Sequence, residues 1–273
     1  MKINRVWAVY WSATGNTAAV VSAAADALAK ALDCPRETAD FTLPQARERE
    51  LSFGPDELAV LGTPTYAGRV PNKLVPYIRE RIRGGGALAA AAVTFGNRSF
   101  DNALAELCAL LEADGFCTVA AAAFVGQHAF AAQLAPGRPD AGDLRQAEAF
   151  AVRIAEKVRG LAEPPAPVQV PGDPDAPYYV SKGMDGQPAK FLKAKPLADP
   201  EKCTRCGLCA RLCPMGAIDP GDVSQVPGTC IKCQSCVAHC PQGARYFDDP
   251  AFLSHRAMLE ESFRDRKEPV FFL

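Results

Sequence analysis

Short apolar runs alternate with segments of helical periodicity across residues 1–160. Four runs are almost continuously apolar, which is typical of strands buried on both faces. These runs cover residues 5–10, 57–61, 88–95 and 117–125, and a weaker one covers 36–41. Between them, apolar residues recur at helical spacing in residues 18–32, 72–83, 102–113 and 143–159. The alternation predicts an α/β domain whose parallel sheet is covered by helices on both sides.

A proline-rich segment ends this pattern. Six prolines fall within residues 163–177, and this density favours an extended, semi-rigid chain. We therefore predict a first domain over residues 1–162 and a linker over 163–199. Within the linker, residues 178–181 and 191–195 are expected to pair as a hairpin around the turn sequence Gly-Met-Asp-Gly.

The remaining sequence divides into two parts. A cysteine-rich domain covers residues 200–249, and a C-terminal helix and tail cover 250–273. The helix is predicted over 250–266. The last four residues, 270–273, are too apolar to lie in water, so we expect them to pack against the protein.

Charge and hydropathy bear on the possible partners. The 273 residues include 30 basic and 31 acidic ones, a net charge of −1, and this balance gives no support for a nucleic acid or a membrane surface as partner. The continuous apolar run at 116–125 is far shorter than the ~20 residues that span a bilayer. No targeting segment is visible. These features predict a soluble, cytoplasmic protein.

Eight of the eleven cysteines form two groups of identical spacing, C-x-x-C-x-x-C-x-x-x-C-P, which start 27 residues apart at Cys203 and Cys230. Disulfides are rare in the reducing cytosol, so this clustering indicates metal ligation. Three closely spaced thiolates can hold one corner of an iron–sulfur cube from a single loop. The fourth cysteine of each group, placed before proline, ligates the other cluster.

The repeat therefore predicts two [4Fe–4S] clusters with crossed ligation. Cluster 1 is assigned to Cys203, Cys206, Cys209 and Cys240, and cluster 2 to Cys230, Cys233, Cys236 and Cys213. The alternative is structural zinc, which usually takes two separated C-x-x-C pairs, so two complete quartets disfavour it. Residues 200–247 resemble a bacterial-type two-cluster ferredoxin. The other cysteines, at positions 34, 108 and 117, are expected to act as small hydrophobes.

A hydroxyl-rich loop follows the first predicted strand and leads into a helix. Its residues Ser12, Thr14, Gly15, Asn16 and Thr17 would present backbone N–H groups and hydroxyls to an anion at a helix N-terminus. The loop contains no Lys or Arg, which suits the phosphate of FMN. Neither a Walker loop nor a G-x-G-x-x-G motif is present, so no NAD(P) site is evident. The alternative is an ordinary helix N-cap.

Two further loops follow the strands at 57–61 and 88–95, at the sheet edge where open α/β domains bind ligands. Each offers an aromatic ring that could flank an isoalloxazine. The alternative is that Tyr66 and Phe100 only pack on the surface. The candidate flavin contacts are Thr63, Thr65, Tyr66, Gly96, Asn97 and Phe100.

Together the three loops resemble those of the flavodoxin family, and the whole chain resembles bacterial proteins that fuse a flavodoxin-like domain to a two-cluster ferredoxin. The resemblance implies a five-stranded sheet of order 2-1-3-4-5, which is flavodoxin's own order, and FMN bound by the loops named above. Arg69 and Arg98 are expected to be solvated, and the alternatives are that they offset negative charge on reduced flavin or contact a partner. Tyr66 and His128 are candidate proton donors.

Three functions are compatible with these features. The first is a redox relay in which FMN exchanges two electrons and the clusters move one at a time, with other proteins as donor or acceptor. The second is a flavin-dependent reductase with its own small substrate, fed through the clusters. The third is a redox sensor without turnover.

Overall fold

The computed structural model describes all residues, 1–273. Its ten strands are β1 Arg5–Tyr10, β2 Arg36–Asp40, β3 Leu51–Ser52, β4 Glu57–Pro64, β5 Ile82–Arg83, β6 Leu88–Phe95, β7 Cys117–Val125, β8 Leu197–Ala198, β9 Arg245–Tyr246 and β10 Val270–Phe272. Its seven α-helices are α1 Asn16–Leu32, α2 Val75–Arg81, α3 Ala103–Ala113, α4 Ala141–Arg159, α5 Leu208–Arg211, α6 Ser235–Ala238 and α7 Pro250–Ser262. Every helix is too short or too polar to cross a lipid bilayer.

Six strands form the main sheet in the order β10-β7-β6-β4-β1-β2. Five of them are parallel, and these run in the order 2-1-3-4-5 when they alone are counted along the chain. The sheet confirms the predicted flavodoxin-like fold, with the weak strand at 36–41 in place at one edge. The sixth strand, β10, is antiparallel to β7 and comes from the C-terminal tail.

Helices cover both faces of the sheet, as the alternating pattern predicts. Helices α1 and α4 pack on one face around Leu28, Phe150 and Ile154. Helices α2 and α3 pack on the other face, where Ile78 and Leu107 are fully buried. The alanine-rich strands β6 and β7 allow this close approach, because their small side chains fill little of the space between layers.

Helix α2 is shorter than predicted at both ends. Helix α2 begins at Val75, with Pro76 in its first turn, and ends before Ile82. Ile82 and Arg83 leave the helix to pair with Leu51 and Ser52 in a small parallel ladder. The apolar spacing of 72–83 does not distinguish a helix end from this short strand, because Ile82 is buried in either conformation.

The proline-rich segment lies along the first domain as an extended chain. The Val168 N–H donates to the Thr118 carbonyl at 2.8 Å, and Val168 and Val170 pack against the apolar cluster on the α2–α3 side of the sheet. The predicted hairpin forms only close to its turn. Lys182 bridges Pro188, and the N–H groups of Gly183 and Ala189 donate to the carbonyls of Gln187 and Ser181, both at 2.8 Å. Residues 191–195 do not pair with residues 178–181, and neither flank forms a strand.

The reason lies in the partners of the two flanks. Tyr178 donates its hydroxyl hydrogen to the Val70 carbonyl at 2.9 Å, whereas Phe191 joins an apolar cluster with Phe247 and Phe252. The two flanks therefore pack on different parts of the molecule. Proline at 188 also lacks the N–H that a longer ladder needs.

The cysteine-rich region is small and packs against the first domain. Its only ladder pairs β8 with β9, and its helices α5 and α6 are single turns. Helix α7 begins after Asp249, whose carboxylate accepts from the Phe252 N–H, and ends at Ser262, four residues before the predicted end. Beyond it the chain runs extended to β10, where Phe271 packs on Phe124 and Phe150. The predicted packing of residues 270–273 holds for Phe271 and Phe272, whereas Val270 and Leu273 are exposed.

Candidate functional site

The eight cysteines line two cavities. Cavity 1 is lined by Cys203, Cys206, Cys209 and Cys240. Cavity 2 is lined by Cys213, Cys230, Cys233 and Cys236. The structure thus brings together the two crossed quartets that the sequence analysis proposes. The four thiols of each quartet lie around a cavity and are not arranged to bind a single metal ion.

The two cysteine loops repeat each other in backbone conformation. Arg205 and Lys232, 27 residues apart, both have positive φ, of 54° and 57°. The next repeat pair has φ of 74° at Gly207 and 63° at Gln234. Left-handed residues turn the chain sharply, so each loop curls its first three cysteines around one cavity.

Backbone N–H groups point at the sulfur atoms. The Ala217 N–H lies 3.2 Å from Cys213 Sγ, and its repeat counterpart at Ala244 lies 3.3 Å from Cys240 Sγ. Such hydrogen bonds stabilise thiolates that ligate iron–sulfur clusters. Four sulfur donors around each cavity fit a [4Fe–4S] cluster better than zinc, whose thiolate ligands all lie about 2.3 Å from a single ion.

The two cavities differ in exposure. Cys206 of the first quartet is exposed at the surface, whereas Cys233 and Cys236 of the second are buried. Cys233 belongs to the large apolar cluster of the first domain, and Ile231 packs against the same cluster. The Arg47 side chain donates to the Pro214 carbonyl at 2.5 Å and links the two domains on this side. Cavity 2 therefore adjoins the first domain, and cavity 1 faces outward.

The remaining cysteines lie outside both cavities. Cys108 is buried in α3, and burial raises its pKa to about 12. The Cys117 thiol donates to the Pro165 carbonyl at 3.1 Å, and Cys34 lies just after the end of α1. All three have the packing environments expected of them.

The second candidate site is a cleft at the carboxyl ends of the parallel strands. We call it the loop cleft. Six of the predicted flavin contacts line it: Ser12, Thr14, Asn16, Thr17, Thr65 and Tyr66. Residues that the sequence analysis did not name also line it: Ala13, Pro64, Thr94, Phe95, Gly126, Gln127 and Ala129. Gly126, Gln127 and Ala129 directly follow β7. Open α/β sheets bind ligands at the carboxyl ends of their strands, and extending this rule to the end of β7 identifies these three residues.

The first loop of the cleft presents unpaired donors. Gly15, with φ of 92°, turns the chain into α1 without a side-chain cap. The backbone N–H groups of residues 13–17 have no partner within the protein. Ser12 Oγ accepts from the Ala18 N–H at 3.1 Å, which holds the loop in shape. Free N–H groups at a helix N-terminus fit a phosphate.

Two side chains of this loop already form hydrogen bonds within the protein. The Asn16 amide donates to the Gln127 carbonyl at 3.0 Å, and the Thr17 hydroxyl is buried 2.7 Å from that of Thr94. They connect the loop to the ends of β6 and β7. Thr14 is partly exposed and lines the cleft, and its side chain forms no such hydrogen bond.

The second loop places two hydroxyls without protein partners at the end of β4, on the fully buried Thr63 and on Thr65. Beyond them, Tyr66 packs edge-on against Trp11 at 5.9 Å. Unpaired buried hydroxyls are costly without a partner, and a polar ligand in the cleft would satisfy that of Thr65, which lines it, whereas Thr63 does not line the cleft. Burial raises the pKa of Tyr66 well above its usual value, and the thiols of Cys233 and Cys230 add to the shift.

The third loop does not line the cleft, although Gly96, Asn97 and Phe100 are predicted flavin contacts. The Asn97 amide donates to the carbonyls of Phe263 and Asp265 at 2.6 and 2.9 Å. Phe100 packs on Phe95 at 5.5 Å. The C-terminal segment beyond α7 covers this loop, and no sequence pattern indicated that it would return here.

His128 packs tightly against Gly96, where a side chain would collide with its ring. Its Nδ1 accepts from the N–H groups of Phe130 and Ala131, at 3.1 and 3.3 Å. Burial, with smaller contributions from the nearby His255 and Arg98, lowers the His128 pKa to about 4. The imidazole is therefore neutral at pH 7 and holds the loop after β7.

The expectation for Arg69 is wrong. It is buried and donates twice to the Glu106 carboxylate, at 2.7 Å in both bonds. It also donates to the Pro174 carbonyl at 2.6 Å, which ties the linker to the first domain. Arg98 pairs with Asp101 and lies 3.9 Å over the Tyr179 ring. The two arginines hold the loops and linker together.

Comparison with known proteins agrees with the cysteine pattern. Residues 196–219 match a family described as "4Fe-4S binding domain", and residues 227–243 match a second family of the same description. No curated protein matches the chain.

Among solved structures, a flavodoxin from the domain Archaea is 18% identical over 57% of this chain and 99% of its own, with a TM-score of 0.37. The Streptococcus pneumonia TIGR4 flavodoxin is 17% identical over 56% and 99%, with a TM-score of 0.40. Rubredoxin oxygen:oxidoreductase from the anaerobe Desulfovibrio gigas is 16% identical over 58% and 37%, with a TM-score of 0.38. TM-scores this low do not support a conclusion about function, and the fold assignment rests on the strand order.

Proposed function

We propose that this chain, which joins a flavodoxin-like domain to two 4Fe–4S binding motifs, is an electron-transfer protein that relays electrons between a partner protein and FMN. Cluster 1 would lie in cavity 1, cluster 2 in cavity 2, and FMN in the loop cleft. The order of transfer would be partner, cluster 1, cluster 2 and flavin, or its reverse.

One observation carries this proposal. Tyr66 lines the loop cleft and packs against the apolar cluster that contains Cys233 of cavity 2. The second quartet thus lies beside the candidate flavin site, and the first quartet lies farther out with Cys206 exposed. A linear order with one outward-facing end is what a relay to another protein needs.

The chain's own residues would have distinct tasks. The N–H groups of residues 13–17 would hold the flavin phosphate, and the hydroxyl of Thr65 would accept from or donate to the bound cofactor. The eight cysteines would ligate iron as thiolates. FMN, when bound, would supply the exchange of two electrons in single steps, which matches the one-electron capacity of each cluster.

The alternative, a reductase with its own substrate, needs a substrate cavity over the flavin in addition to the space for FMN. Here Tyr66 packs against the apolar cluster that includes Cys233 of the cysteine-rich domain, and the third loop is covered by residues 263–267. These contacts favour the relay.

Anaerobic purification of the full chain, with assays for FMN, iron and acid-labile sulfide, tests the cofactor content. We expect about one FMN and two clusters per chain. Flash reduction with a one-electron donor then tests the order. In the wild type, cluster reduction should precede flavin reduction, and loss of cluster 2 in Cys213→Ala should slow flavin reduction at least about tenfold. Clusters without flavin, zinc in place of iron, or flavin reduction that is independent of cluster 2 would contradict the relay.

A further inference from the structure

Arg245 is a buried cation without an anionic partner in the protein. Its exposed fraction is 3%, and Nη1 donates to the Val223 carbonyl at 2.7 Å. Nε and Nη2 are buried with no oxygen partner, no carboxylate forms an ion pair with the guanidinium, and the Cys236 thiol adjoins it. An uncompensated buried charge is strongly destabilising, so we expect a negative group to face Arg245.

The guanidinium lies where both cysteine quartets meet. Arg245 lines cavity 1 together with the first quartet. Val223, whose carbonyl accepts from Arg245, belongs to an apolar cluster with Cys236 of cavity 2, and Cys209 of cavity 1 packs against the same cluster. One side chain therefore lies beside both quartets.

The internal repeat shows that this position does not require an arginine. Arg245 is the fifth residue after Cys240, and its counterpart, the fifth residue after Cys213, is Ile218. Ile218 is buried at 4% exposure and lines cavity 2, as Arg245 lines cavity 1. The two loops are otherwise alike in backbone, so an apolar residue satisfies the packing at this site.

We infer that Arg245 is the shared internal counter-charge of the two clusters and raises the reduction potential of both. This inference rests on the proposal that the quartets hold [4Fe–4S] clusters. Each cluster with its four thiolates becomes more negative by one charge on reduction, and a fixed cation in a dry site stabilises the reduced form. The unpaired Nε–H and Nη2–H groups are suitable donors to the cluster sulfur atoms.

The test replaces Arg245 with Met, which keeps the length of the side chain and removes its charge, and with Lys, which keeps the charge. Potentials are measured on the anaerobic full-length protein by a titration followed by electron paramagnetic resonance. In Arg245→Met, the ratio of reduced to oxidised cluster at a fixed potential should fall at least about tenfold, which for one electron is about 59 mV. Arg245→Lys should remain within about threefold of the wild type.

The control is Lys202→Gln, which removes an exposed charge on the residue before Cys203 and should change the ratio less than threefold because solvent screens it. Iron and sulfide content, measured separately, report on the clusters themselves. If Arg245→Met loses clusters, Arg245→Lys must retain them at nearly wild-type potential. Unchanged potentials in Arg245→Met, a Lys variant shifted as far as Met, or loss of clusters in both variants would each overturn the inference.

Discussion

Tyr66 and Cys233 lie in the same apolar contact region, although one follows a strand of the main sheet and the other belongs to the second cysteine loop. After burial, Cys233 is the largest influence on the pKa of the Tyr66 phenol. This relationship places the second quartet against the loop cleft. It is also the contact that the relay depends on, because electron transfer requires the cofactors to be close.

The first prediction concerns the phosphate loop. Thr14→Glu should weaken FMN binding at least about tenfold, or ~1.4 kcal/mol, because the new carboxylate would repel the phosphate beside the free N–H groups. Thr14 suits this test better than Thr17, whose buried hydroxyl is bonded to Thr94. The measurement is the dissociation constant of FMN from flavin fluorescence.

The control for this prediction is Thr38→Glu, which adds the same charge at an exposed position of β2. It should leave FMN binding unchanged. Equal binding by Thr14→Glu and the wild type would place the phosphate elsewhere.

The second prediction concerns crossed ligation. In Cys213→Ala, about half of the iron should be lost, and Cys230, Cys233 and Cys236 should become reactive to alkylation, because Cys213 lines their cavity. In Cys240→Ala, the reactive set should be Cys203, Cys206 and Cys209. Differential alkylation followed by mass spectrometry identifies the exposed thiols.

The matched control for the cysteine variants is Cys108→Ala, since Cys108 is buried in α3 outside both cavities. Its iron content should equal that of the wild type. Exposure of residues 203–209 in Cys213→Ala would show that each loop keeps its own fourth ligand and that the assignment is reversed.

The third prediction concerns the C-terminal tail. Phe271→Ala should destabilise the first domain by about 2–3 kcal/mol, somewhat less than a fully buried Phe, because its ring packs on Phe124 and Phe150 at 5.6 and 4.8 Å. Both tryptophans, Trp7 and Trp11, lie in the first domain, so urea unfolding followed by tryptophan fluorescence reports on that domain.

Leu273→Ala serves as the control for the tail, because Leu273 is 42% exposed. We expect a change below about 1 kcal/mol. If Phe271→Ala unfolded at the wild-type midpoint, the tail would not stabilise the sheet.

Much of the fold was predictable from sequence because buried parallel strands are nearly continuous in apolar residues. The bounds of β1, β6 and β7 equal the predicted runs. The pairing of the tail with β7 could not be predicted, since three apolar residues specify burial but no partner. The hydroxyl-rich loop at residues 12–17, which is the candidate phosphate site, could be recognised from sequence because it is a local motif. The covering of Asn97 by residues 263 and 265 depends on a contact 166 residues away in sequence, which no local pattern encodes.

The last prediction concerns pH. The folded-state pKa of His128 is about 4 and its ordinary value is 6.5, because burial disfavours the cation. Between these values the unfolded chain binds a proton that the folded protein does not bind, so stability falls as pH falls through this range. The contribution of His128 is complete above pH 6.5 and decreases by up to about 3 kcal/mol toward pH 4.

Comparison of the wild type with His128→Asn isolates this effect, because Asn has an acceptor oxygen and does not titrate. The unfolding free energy of both proteins is measured by tryptophan fluorescence. The value for the wild type minus the value for His128→Asn should decrease as pH falls below 6.5. His239→Asn, at an exposed position, controls for removal of a histidine. A difference that stays constant with pH would mean that the imidazole titrates equally in the folded and unfolded states. The loop after β7 would then not be held by a neutral ring that accepts from Phe130 and Ala131.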